Sequence, residues 1–167
     1  PWGEKDARGV CPERTRKPAY LTAPKIGAVR SSDDGAHWED LGIILKAPGP
    51  FRCDTANHYF AGGNGDFSVM LDKQSRYMYF FMDTYHADPS EQGVSVARMK
   101  WKDRDHPVGK AWKWHKKRWS EPGLGGHVTP ILPAMTDWHA ENANAFWGPS
   151  IHWNTHLKRY VILLNRT

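Results

Sequence analysis

Long apolar runs are missing from this chain. None of its 167 residues lies in a stretch approaching the roughly 18 consecutive apolar residues that a bilayer-spanning helix needs, so the sequence predicts no membrane span. Cysteine is scarce. Cys11 and Cys53 lack the paired spacing of a zinc site and fit either a disulfide or two buried thiols. His58, His86, His127, His139 and His152 show no metal-ligand spacing, and nothing resembles H-E-x-x-H, so no metal site is predicted. Gly62-Gly63-Asn64-Gly65 is glycine-rich but lacks the Lys-Ser/Thr of a phosphate loop and the helix that should follow, which argues against a nucleotide. No cofactor is expected, and a structural cation is left open.

Helical periodicity is also absent. Pro and Gly recur every few residues, and the apolar runs are short, β-branched or aromatic, and bounded by turn residues. With 40% apolar and 13% aromatic residues the chain can nevertheless bury a core, so the expectation is an all-β protein. Strands are predicted at residues 25–31, 37–45, 67–71, 77–85, 93–102, 111–115, 150–153 and 159–164, with long loops at 46–65 and 120–146 as the places to seek a cleft.

The net charge of +5 is unevenly spread. Arg98, Lys100, Lys102, Arg104, Lys110, Lys113, Lys116, Lys117 and Arg118 are interleaved with Trp101, Trp112, Trp114 and Trp119, a mixture that single-strand nucleic-acid binders use. Asp103 and Asp105 interrupt the run, however, and Val94 to Trp101 alternates like a strand. A solvated hairpin edge guarded by lysines is therefore expected, with no nucleic-acid partner.

An internal repeat sharpens the fold expectation. Ser68-Val-Met-Leu-Asp-Lys-Gln-Ser-Arg-Tyr can be laid against Ser150-Ile-His-Trp-Asn-Thr-His-Leu-Lys-Arg-Tyr with one inserted residue. Each copy is a strand, a turn opened by Asp72 or Asn154, a basic residue before Tyr77 or Tyr160, and a second apolar strand. Two such hairpins separated by further strands are the pattern of successive propeller blades, although a β-sandwich can also repeat a hairpin.

Ser31-Ser-Asp-Asp-Gly-Ala-His-Trp38 fits S-x-D-x-G-x-x-W, the Asp-box pattern, at every specified position. Ser31 and Asp33 are expected to accept turn amides, Gly35 to take positive φ, and Trp38 to bury its ring on the hairpin; Asp33 is read as structural. The motif is similar to those of sialidases and other propeller proteins, which implies extracellular glycan chemistry by association.

The two hairpins resemble the first two blades of five-bladed glycoside hydrolases of the arabinanase and β-xylosidase type. That resemblance implies a partial five-bladed β-propeller, with part of a six-bladed sialidase-like propeller as the alternative. Residues 1–24 would be an irregular segment and residues 25–167 the blades. The apolar ending at Leu163-Leu164 and the start at Pro1 lead to the expectation that the chain is a piece of a longer propeller. In the family the first inner strand opens with a general-base Asp, and Asp66 occupies that place in Gly65-Asp66-Phe67. The second opens W-A-P-D-I, and here Trp147-Gly148-Pro149-Ser150-Ile151 stands in register, with Ser150 replacing the carboxylate that tunes the general acid. Asp137 or Glu141 would have to substitute for it, and the acid itself is expected beyond Thr167. Trp147, Ser150, Trp153 and His58 complete the implied sugar-binding set. The resemblance thus implies a secreted or periplasmic glycoside hydrolase, or a non-catalytic glycan-binding propeller that lost its carboxylates.

Overall fold

The structure, a computed structural model, describes Cys11, residues 21–56 and residues 59–167; His58 and most of the 1–24 segment lie outside the described residues. The protein is all-β, with strands β1 (Ile26–Arg30), β2 (Glu39–Leu45), β3 (Asn64–Leu71), β4 (Tyr77–Thr84), β5 (Gly93–Lys100), β6 (Trp112–His115), β7 (Arg118–Pro122), β8 (Leu132–Pro133), β9 (Phe146–Asn154) and β10 (Arg159–Arg166). Every pairing between these strands is antiparallel. The central sheet runs β3-β4-β5-β6-β7 with β8 on β5, while β1-β2 and β9-β10 are separate hairpins.

Two strands emerge inside or beside the expected 120–146 loop, β7 and β8. Lys116 and Lys117 both take positive φ and close a tight β6-β7 turn without glycine, which is why no turn signal marked it. β3 and β9 also begin earlier than apolar alternation suggested, at Asn64 and Phe146: β3 opens with the polar or glycine residues Asn64, Gly65 and Asp66, and in β9 Gly148-Pro149 interrupts the alternation after Phe146 and Trp147.

The repeated hairpins are built alike. Asp72 Oδ1 accepts the Arg76 and Tyr77 amides at 2.6 and 3.2 Å, and Asn154 Oδ1 accepts the Leu157 amide at 2.8 Å. β9 packs on β3, where the Ile151 amide donates to Ser68 Oγ at 3.3 Å. The other face of the central sheet turns Phe80, Met82, Ala97 and Met99 toward Ile26, Ile44 and Leu45 of the β1-β2 hairpin, and this is the main core. Next to it, Phe67, Val69 and Leu71 of β3 remain exposed, and Phe67 and Val69 border an apolar cavity of about 560 Å³ between β3 and β1-β2. Cys11 and Cys53 form a disulfide across a sequence separation of 42.

The Ser31–Trp38 turn makes the side-chain bonds its motif requires. Ser31 Oγ accepts the Gly35 amide at 2.9 Å, and Asp33 Oδ1 accepts the Ser31 hydroxyl at 2.8 Å and the His37 amide at 2.9 Å. Trp38 folds back to donate its indole N–H to Gly35 O at 3.0 Å, yet its ring stays 63% exposed, because it covers only the turn itself. The bonds from the His37 backbone and side chain and from Ser31 hold the Asp33 carboxyl below its ordinary range.

Candidate functional site

Polar side chains concentrate where β3 and β9 begin and β4 ends. Residue 66 breaks the β3-β4 register, and Asp66 sits in this bulge with φ 36°, a left-handed conformation uncommon for a residue with a Cβ. In the repeat, Asp66 aligns with Gly148, which takes φ 62°; a Cβ there would lie 2.8 Å from Asn165 Nδ2. The same backbone device thus occurs twice, once with the residue that adopts it freely and once with an exposed aspartate.

Asp66 is aimed from beneath. The Tyr85 hydroxyl donates to Asp66 Oδ2 at 2.6 Å and lies 3.4 Å from Oδ2 of Asp83. Tyr85 is itself buried, stacked on Phe60 at 3.7 Å and set edge-on to Trp138 at 5.3 Å, so its hydroxyl has one available position. Burial, with both carboxylates nearby, pushes the phenol well above its usual range and keeps it a donor.

Asp83 is wholly buried. Its Oδ2 accepts the Gly148 amide at 2.8 Å, and its Oδ1 has no hydrogen-bond partner among the described residues. Burial pushes its carboxyl up to about 8, Asp66 adding to the effect, so Asp83 is protonated at neutral pH. The two motifs read from sequence therefore meet through a residue neither contained: Asp83 joins Tyr85 and Asp66 to Gly148 on β9. No motif singles out Asp83 or Tyr85, and the one signal the sequence carries is a carboxylate placed directly after the apolar run Tyr79-Phe80-Phe81-Met82.

The other expected residues are placed as follows. Trp147 is half-buried against the Tyr85–Trp138 cluster, and Ser150 is exposed on β9, paired with Leu163. Trp153 lies six residues along β9 from Trp147, about 20 Å away at strand spacing, with Lys73 Nζ 3.1 Å above its ring and Tyr160 against its edge. Glu141 is exposed on a turn.

Asp137 links the two long loops, accepting from Arg52 Nη1 at 2.7 Å, from Gln92 Nε2 at 2.7 Å and from the His139 amide at 2.9 Å. Burial opposes its charge, but these three donors outweigh it and hold the carboxyl at about 2, so Asp137 is a fixed anion rather than a proton donor. Beside it, Glu91 accepts from His86 and His127, each at 2.7 Å, while Lys113, buried among the core strands, donates to the Lys46 and Gly126 carbonyls at 2.8 Å. Burial lowers Lys113 to about 7.

Among the described residues no group of three or more His, Cys, Asp or Glu side chains is arranged to hold a metal, and no helix is long and apolar enough to cross a membrane. No family model matches the chain, and no curated protein or solved structure matches it.

Proposed function

We propose that this chain belongs to a secreted or periplasmic carbohydrate-active β-propeller of the five-bladed type, in which Asp66 is the general base of glycosidic-bond hydrolysis. In this reading β3-β4-β5-β6 is one blade, β9-β10 opens the next, and β1-β2 belongs to the preceding one. The packing of β9 on one face of β3, with β1-β2 across the other, supports that assignment, as does the apolar β3 face left for further strands. The disulfide agrees with an oxidising compartment.

The observation that carries the catalytic reading is the exposed Asp66 carboxylate, held in a left-handed bulge and oriented by a buried tyrosine. Backbone strain at a residue with a Cβ needs a compensating gain, and strained positions concentrate at functional sites. Asp66 would deprotonate a water attacking the anomeric carbon, while a second acid protonates the leaving oxygen from the other side of the bond. In an inverting enzyme that acid stands about 6.5 to 9.5 Å away. Asp83, sealed behind Tyr85, does not reach substrate; its role is to keep the floor of the site neutral while anchoring Gly148.

The test is Asp66→Asn in the full protein, with turnover, glycan binding and melting temperature measured on arabinan, xylan and sialylated substrates. Turnover is expected to fall by about 10² to 10⁴ with binding and melting temperature retained. Unchanged turnover places the base elsewhere. A wild type that binds a glycan but hydrolyses none leaves the non-catalytic glycan-binding reading, which the hydroxyl of Ser150 in place of a carboxylate favours.

A further inference from the structure

The outer half of the central sheet carries a second group of side chains, unrelated to Asp66. Cross-strand register sets Tyr79 beside Arg98 and Arg98 beside Trp112. Because alternate residues share a face, this puts an arginine in the middle of an aromatic surface, while Lys113, one residue on, faces the core. The Arg98 guanidinium lies 4.4 Å from the Tyr77 ring centroid and 4.5 Å from that of Trp119, flanked by aromatic surface. Its N–H donors make no hydrogen bond or ion pair among the described residues. Trp119 is itself backed by Trp114 at 5.0 Å and Tyr79 at 5.9 Å, so the platform is rigid.

Arg98 opens onto a groove of about 420 Å³ that also receives Lys100, Asp103, Lys110 and the half-exposed Trp112. A fixed guanidinium with unused donors, two lysines and an exposed indole form a site for an anion carried on a flat apolar ring. The contrast with β3 bears on whether the groove is open. Phe67, Val69 and Leu71 present a surface a neighbouring sheet can cover, whereas covering unpaired Arg98, Lys100 and Lys110 would bury charge without partners.

We propose that this groove binds an acidic polysaccharide, a sugar ring stacking on Trp112 while its carboxylate or sulfate is held by Arg98, Lys100 and Lys110. The aromatic content of the groove decides between this ligand and a single-stranded nucleic acid: one half-exposed ring, Trp112, is too few for the successive base stacking that single-strand binders use, while the Asp103 carboxylate can accept the hydroxyls in which sugars are rich. The groove lies at the end of the sheet where β4 begins and Asp66 where β4 finishes. A ligand here therefore tethers the protein to its glycan without occupying the candidate catalytic site, and the site does not depend on the role of Asp66.

The experiment is affinity electrophoresis and titration of the full chain with sodium polygalacturonate and its fully methyl-esterified form, with dextran sulfate and dextran, and with oligo-dT. Either acidic polymer should bind more tightly than its neutral parent, and the arm that binds tells carboxylate from sulfate. Trp112→Ala, at a half-exposed ring, should weaken that binding by about tenfold or more, with an unchanged melting temperature checking that the fold is kept. Lys110→Ser should weaken it and flatten its salt dependence, and Asp66→Asn should leave it unchanged. Equal binding of acidic and neutral polymers, tighter binding of oligo-dT, or unchanged affinity in both Trp112→Ala and Lys110→Ser overturns the proposal. Loss of binding in Asp66→Asn relocates the ligand to the other site.

Discussion

Replacing Asp83 by Asn should make this protein more stable at neutral pH, and the gain should disappear in acid. Asp83 is fully buried and its carboxyl is pushed from 3.8 to about 8. In the unfolded chain the group ionises near its ordinary value, whereas in the folded protein it must stay protonated. The folded state therefore binds the extra proton between these limits, and stability contributed at this site is full below about pH 4 and is lost as pH rises toward 8. Each pH unit in that window is worth about 1.36 kcal/mol, so on the order of 4 kcal/mol is forfeited between pH 4 and pH 7. Asn carries no proton to lose, and its side-chain oxygen can still accept the Gly148 amide. Urea unfolding followed by tryptophan fluorescence at pH 4, 5, 6 and 7 gives both stabilities. Any packing offset in Asp83→Asn is constant, so the informative quantity is the slope. The variant should gain on the wild type by several kcal/mol from pH 4 to pH 7, with similar m values. A difference that stays flat with pH, or moves the other way, would show that Asp83 ionises freely in the fold and refute the neutral floor beneath Asp66.

Lys113 should act with the opposite sign in a higher window: burial lowers it from 10.5 to about 7, so stability should rise as pH climbs from 7 toward 10, and Lys113→Met should lose that rise in urea unfolding carried out from pH 7 to pH 10. Cys53→Ser, opening a loop with a sequence separation of 42, should cost about 4 kcal/mol in the chain-entropy account, read as a lower urea midpoint that reducing agent does not shift further. Asp33→Ala, which deletes acceptors for Ser31 and His37 far along the chain from Asp66, should lower the melting temperature while turnover per folded molecule persists; the loss should vanish in acid, where Asp33 is protonated and its stabilising effect is already gone.

What could be read from the chain alone was local. The strands, the Asp72 and Asn154 turns and the bonds of the Ser31–Trp38 turn involve residues a few positions apart, and the side chains that make them are chosen for that distance. The left-handed position at Asp66 was also accessible, because its partner in the repeat is a glycine. The exposed ring of Trp38 was not, since burial depends on what else covers the turn. Alternation says that Trp112 and Lys113 face opposite ways but not which face another sheet will cover, so the lysine in the core and the tryptophan in solvent are decided by packing. The same holds for Arg52 and Asp137, paired across 85 residues, and for Asp83 and Gly148, paired across 65. Asp83 acquires its protonation only when β9 closes over β4 and removes water, and Asp66 its aim only when Phe60 and Trp138 pack Tyr85 beneath it, because burial and a fixed donor are properties of the assembled protein and of no segment within it.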